Sequence, residues 1–235
     1  LRGAPQQTVP HAAAHRVGRI SGPVQPGQQS RRTGYRRYAA PGGFYGVDTS
    51  LTGTGLARID LVTWPSSHPP RQDDELVVYS ADTVTVAAPG PTRDKSKRAM
   101  VRRVNALIEQ IEWCFSEPDE RPDAMGIEAL AYGAKGASAW VLPWIFGRTI
   151  ELAEKYDIPL TTVSTAGRAK FATGKGNADK ETVLLATAKQ FPGADVTNNN
   201  EADAMIVGAV VCQRLGLPIA PVTQYRRDVI EALED

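Results

Sequence analysis

Nucleophile-and-base chemistry has little to work with in this chain. Of 235 residues only three are histidine and two are cysteine. His11 and His15 fall in an Arg-rich leading segment and His68 in a proline-rich loop, so a histidine-based nucleophilic mechanism has no support. Cys114 and Cys212 each sit in an apolar, helix-like stretch. They read as buried thiols rather than a disulfide or metal pair, which points to a reducing compartment. Long apolar runs are also missing. The longest, Ala204 to Cys212, is far short of the roughly 20 residues that span a bilayer. No signal-peptide pattern is present, so a cytoplasmic location is expected. An acid-free, Arg-rich start also fits an organelle transit peptide, and the first residue is Leu rather than Met, so the native start stays open. The segment Gly174-Lys175-Gly176 lacks the second Gly-Lys-Ser/Thr element of a P-loop, and no nucleotide cofactor is expected.

Acidic residues are absent from 1–47, which hold seven arginines: Arg2, Arg16, Arg19, Arg31, Arg32, Arg36 and Arg37. The formal net charge of +1 therefore hides a split, with 48–235 at net −6. A segment so rich in Arg, Gly, Pro and Gln cannot bury enough apolar surface to fold alone. Residues 1–42 are read as a disordered extension suited to salt-sensitive attraction to phosphate, or as a plain solubilising tail.

From residue 43 strand-like and helix-like segments alternate. Phe44 to Asp48 reads as a buried strand, Thr49 to Thr54 as a tight turn, and Gly55 to Val62 as the returning strand. A third strand is expected within Glu75 to Ala88, after the loop Pro65 to Arg71. Apolar residues at Met100, Val101, Val104, Leu107, Ile108, Ile111 and Phe115 predict a helix over Asp94 to Ser116. Asp123 to Glu128 reads as a strand, Gly133 to Tyr156 as a helix that Pro143 kinks unless it lies in the first turn, and Ile158 to Ser164 as a strand. Helices follow at Ala178 to Gln190, Asn200 to Leu215 and Arg226 to Leu233. The sum is an α/β layered fold, with 43–217 as one catalytic domain and 218–235 as a C-terminal helical tail.

Against that frame of elements, three acids stand out: Asp48 and Glu128 close apolar strands, and Asp203 lies in the opening turn of an apolar helix. Carboxylates so placed are a usual way to cage hard divalent cations. At about 4 Å two such charges repel by about 4 kcal/mol at an effective dielectric of 20, so the cluster makes sense only with cations. Two ions roughly 3.5–4 Å apart activate a water and stabilise the leaving oxygen of a phosphodiester. A metal-dependent nuclease is the chemistry this predicts, with Asp48 as the bridging ligand.

The hairpin Gly46-Val47-Asp48-Thr49-Ser50-Leu51-Thr52-Gly53-Thr54-Gly55, the strand end Ile127-Glu128-Ala129-Leu130, the blocks Gly167 to Lys170 and Thr173 to Lys180, and Glu201-Ala202-Asp203-Ala204 together resemble the RuvC family of Holliday-junction resolvases. The resemblance covers about 44–215 and is closer to the phage branch. It implies an RNase H-like fold with a mixed five-stranded sheet, led by an antiparallel hairpin and with helices on both faces. It also implies a homodimer, two Mg²⁺ ions per site with Mn²⁺ able to substitute, and paired nicking of four-way or branched DNA. The family usually carries an acid three residues before the last Asp, about 60° away on the helix; here that position is Asn200. Asn200 offers an uncharged amide oxygen. Glu201 has the right charge but points about 200° from Asp203, and fits a capping box with Asn198 as N-cap. The resemblance leaves the fourth ligand open between these two.

Lys170 and Lys180 match family positions that hold DNA phosphates, and Arg168 and Lys175 are expected in the same loop, tracking the backbone. Tyr132 lies next to the place where family members wedge an aromatic into the junction, with a core or dimer contact as its other reading. Trp140, Trp144 and Phe146 are spaced for core or dimer interface. Two rival functions stand beside the resolvase: a weak or inactive junction-binding protein, favoured by Asn200, and an actin-like ATPase, whose phosphate turn resembles Asp48 to Gly55 but whose second domain this chain is too short to supply.

Overall fold

The computed structural model describes residues 43–62, 76–91, 93–114, 121–130 and 139–233. The expectations for the N-terminal extension, the 65–71 loop, Phe115 and Tyr132 lie outside these residues. Five strands, β1 (Phe44–Asp48), β2 (Thr54–Leu61), β3 (Tyr79–Val86), β4 (Ala124–Glu128) and β5 (Leu160–Val163), form one sheet of order β3-β2-β1-β4-β5. The β1 to β3 meander is antiparallel, while β4 and β5 run parallel to β1. The mixed sheet led by a hairpin is therefore the one expected.

The helices are α1 (Lys97–Trp113), α2 (Val141–Lys155), α3 (Thr165–Thr173), α4 (Lys180–Gln190), α5 (Asn199–Arg214) and α6 (Gln224–Glu231). Helix α3 is a correction. The stretch expected as a loop after β5 begins with Ser164, whose side chain accepts from the Gly167 amide, and stops at Gly174 in the left-handed region (φ 82). A hydroxyl N-cap and a glycine stop are the ordinary bounds of a helix. Helix α2 begins at Val141, which puts Pro143 in the first turn, where a missing amide costs no intrahelical bond. Among the described residues no helix is long and apolar enough to cross a membrane.

Strand alternation divides the core in two. Tyr45, Val47, Met125 and Ile127 point to the side covered by α1 and α2, where Val104, Leu107, Ile111 and Ile145 fill the space. Phe44, Ala57, Ile59 and Ala124 point to the side of α5, α3, α4 and α6. Helix α5 is buried from Glu201 to Cys212, an apolar rod laid directly on the sheet. The segment after 217 packs into the same core, with Leu217, Ile219, Ala220 and Val229 buried. There Arg226 is buried and donates to the Phe171 and Pro221 carbonyls and to Gln190. Cys212 is buried, and Cys114 is half-buried with its Sγ donating to the Gln110 carbonyl at 3.3 Å.

Candidate metal centre at the strand ends

The acids meet because of register. Val47 pairs with Ile127 in the parallel β1–β4 ladder, so the next residues, Asp48 and Glu128, leave the sheet side by side. Both follow glycines on the same face, Gly46 and Gly126, and that face lies under α5. A Cβ on Gly46 would fall 1.9 Å from the Ala204 carbonyl oxygen, and one on Gly55 would fall 2.0 Å from that of Asn200. Only glycine admits a helix backbone this close. The first turns of α5 are thereby pressed onto β1 and β2, and Asp203 drops into line with the two strand-end acids. Asp48, Glu128 and Asp203 each offer an oxygen within 4.8 Å of the others.

Their surroundings hold the cluster short of counter-charge. Glu128 is 8% exposed and Asp203 2%. Burial, then the Glu128 and Asp203 charges, push Asp48 up to about 7, against smaller opposing pulls from Arg168 and Lys180. Asp203 is pushed up to about 6, again by burial first, with Arg168 pulling the other way. A donor set of hard carboxylate oxygens, packed closer than their charges tolerate, fits hard divalent cations.

Arg168 lies inside the protein. It was expected in a loop facing DNA; instead it projects from α3, is 5% exposed, donates through Nη1 to Asp203 Oδ1 and sets Nε 3.2 Å from Glu128 Oε1. It is an internal counter-ion to two of the three acids. The signal that could have found it was the pairing of a hydroxyl N-cap, Ser164, with a glycine stop at Gly174.

Glu201 is also displaced from its expected alternative role. It accepts from the Thr197 amide at 2.9 Å and hydroxyl at 2.7 Å, and from the Thr85 hydroxyl at 3.0 Å. Asn198 caps the helix by accepting from the Asn200 and Glu201 amides. Burial raises the Glu201 carboxyl, but the donors from Thr197 and Thr85 outweigh it and hold it below its usual value. It is spent on the helix start and on β3, away from the acid cluster, as a capping residue would be. Asn200 sits on the other side of that turn, with its amide nitrogen against Gly53 of the β1–β2 turn.

Of the basic residues, Lys180 is exposed at the start of α4, and its charge reaches both Asp48 and Asp203. Lys170, half-buried on α3, is 2.8 Å from Asp228 Oδ2 of α6. Lys175 is exposed just beyond Gly174. Trp140 stacks on Trp144 at 5.6 Å, and Trp144 and Phe146 pack against the α1–α2 core.

A carboxylate cluster at adjacent strand ends, completed by a helix laid across a hairpin-led mixed sheet, defines an RNase H-like arrangement. The same fold is found among solved structures. The chain is similar to RuvC of Thermus thermophilus over 77% of its own length and 99% of that chain, with 18% identity and a TM-score of 0.50. It is also similar to T. thermophilus RuvC in complex with a Holliday junction substrate (16% identity, 77% and 99% covered, TM-score 0.49) and to the yeast mitochondrial Holliday junction resolvase Ydc2 (12% identity, 83% and 85% covered, TM-score 0.43). Identities this low speak to fold. No protein-family profile and no curated protein matches the sequence.

Proposed function

We propose that this chain is a divalent-metal-dependent endonuclease that cuts four-way or branched DNA by phosphodiester hydrolysis. The observation that carries the reading is the buried, charge-frustrated cluster of Asp48, Glu128 and Asp203 at the end of a RuvC-like sheet. In this reading the three carboxylates hold the cations, with the Asn200 amide oxygen, one helical turn before Asp203, as the fourth donor. When bound, the metal supplies Lewis-acid activation of water and stabilisation of the leaving 3′ oxygen.

The protein's own groups then have definite tasks. Asp48, pushed up to about 7 by burial and the neighbouring acids, would release its proton to solvent on holding a cation, which would couple loading to proton release. Arg168 keeps Asp203 and Glu128 oriented before loading. Lys180 reaches a phosphate beside the cluster, Lys175 follows the backbone beyond it, and Lys170 exchanges Asp228 for phosphate. Paired nicks on opposite strands need two such sites related by a two-fold axis, so the active species is a homodimer.

The test is cleavage of a labelled four-way junction with Mg²⁺, with chelator and with Asp48→Asn, against a linear duplex. Metal-dependent nicks near the branch point that vanish in Asp48→Asn are the expected result. Cleavage that persists in chelator refutes the metal reading. A second reading, a junction-binding protein with little activity, is favoured by one observation: the position three residues before Asp203 is the uncharged Asn200, while the neighbouring Glu201 is tied to Thr197 and Thr85. Tight junction binding without nicks in either Mg²⁺ or Mn²⁺ is its signature.

A further inference from the structure

We infer that the segment 93–103, which leads into and begins α1, is a second DNA-backbone contact surface on the rim of the acid cluster. The inference rests on the branched-DNA reading above and names where an arm of that DNA lies. Six cations, Arg93, Lys95, Lys97, Arg98, Arg102 and Arg103, crowd these eleven residues against the single acid Asp94. That acid is taken by Arg102 at 3.1 Å, and Arg103 donates to the Pro89 carbonyl. Arg93, Lys95, Lys97 and Arg98 are exposed and, among the described residues, carry no ion pair. A patch of one sign this dense has a polyanion as its natural partner.

Register says where the patch lies. Asp48 pairs with Gly55 and Gly55 with Thr85, so β3 runs out of the sheet at the same end as the acids. The Ala88 amide then bonds the Leu51 carbonyl of the β1–β2 turn at 3.0 Å, the Pro89 carbonyl accepts from Arg103 of α1 at 2.7 Å, and α1 packs on the face opposite α5. A duplex arm crossing the acid end of the sheet meets the catalytic cluster from one side and this patch from the other.

The cations are not there for the helix. The first turn of α1 contains no acid and its last turn no base, the reverse of α4, which has Glu181 in its first turn and Lys189 in its last. Ser96 Oγ already accepts from the Ala99 amide, so the inference rests on the side-chain charges and not on open helix amides. Positive charge at a helix N-terminus opposes the helix dipole. A bound phosphate chain reverses that penalty.

The experiment is a salt titration of Kd, in Ca²⁺ to suppress cutting, for the full chain and for Lys97→Gln/Arg98→Gln, on both a four-way junction and a linear duplex. The Arg-rich N-terminal segment is common to both proteins, so differences in slope isolate the patch. Loss of two phosphate contacts lowers the slope of log K against log salt by about 2 and weakens binding about tenfold near physiological salt. Thermal stability stays equal or rises, Mn²⁺ affinity is unchanged, and Lys189→Gln leaves Kd and slope as they were. Equal slopes in double variant and parent overturn the inference while leaving the nuclease reading intact. A lowered slope on both DNAs, with no preference of the parent for the junction, upholds the patch and removes junction selectivity instead. If the parent binds neither DNA, both fall.

Discussion

Two buried carboxylates sit two residues apart on α5, and their neighbourhoods treat them in opposite ways. Around Glu201 the protein supplies donors: the Thr197 amide and hydroxyl and the Thr85 hydroxyl. Around Asp203 it supplies more acids, Asp48 and Glu128, and one shared guanidinium. The carboxyl is accordingly held down at Glu201 and pushed up to about 6 at Asp203. The lesson is general. A buried acid surrounded by donors is finished as structure, whereas one surrounded by acids is finished only by a cation.

The contrast breaks most visibly at Asp48. Asp48→Asn should lower junction cleavage by several kcal/mol of activation free energy, on the order of a thousandfold, in single-turnover assays with Mg²⁺. The same change should raise the melting temperature of the metal-free protein at pH 8, because it deletes a repelled charge. Glu201→Gln should do the reverse, lowering stability with no change in Mn²⁺ affinity.

Next in size is the close approach that separates the two neighbourhoods. Gly46→Ala drives a Cβ into the α5 backbone; overpacking against atoms that cannot rotate away costs about 3 kcal/mol or more, read as a shift in urea midpoint. Metal affinity should fall with it, since Asp203 rides on the displaced helix. Smaller again is the Glu201→Gln effect itself, about 1.5–3 kcal/mol for hydrogen bonds to a charged group, measured by urea denaturation.

The pH dependence sharpens the same contrast. Burial pushes Asp48 up to about 7 and Asp203 up to about 6, above the ordinary aspartate value of 3.8, so the folded metal-free protein binds more protons than the unfolded chain. Their contribution to stability therefore falls as pH rises from about 4 to about 7. Glu201, whose value is lowered, contributes stability above its unfolded value and loses it on acidification. Asp48→Asn should flatten the first trend and Glu201→Gln the second, in melting curves from pH 4 to 8. Mg²⁺ affinity should rise about tenfold from pH 6 to 7 as one proton is displaced.

Much of the architecture was legible in the chain. Short apolar runs that end on an acid mark β1 and β4 as buried strands, and the spacing of Val104, Leu107, Ile108 and Ile111 marks α1 as a helix with one apolar face. The three acids could be read as a set, since strand ends and a helix start are the places where a carboxylate is both fixed and reachable. Helix α3 was not legible: nine residues with Gly167, Arg168 and Lys170 present little periodic signal, and the helix is held by packing on α4, α5 and α6 rather than by its own propensity.

What the sequence by itself determined is therefore local: which segments other than α3 are strands and helices, where acids punctuate them, and that the stretch leading into and opening α1 is basic. The tertiary structure alone decided which acid joins the cluster and which is tied away, that Arg168 turns inward as a counter-ion instead of outward to solvent, and that the basic segment lies at the acid end of the sheet. Those outcomes depend on register and on the closeness of α5 to Gly46 and Gly55. Charge interactions and hydrogen bonds act over a few ångströms in space, and spacing along the chain does not encode such distances until the sheet is assembled.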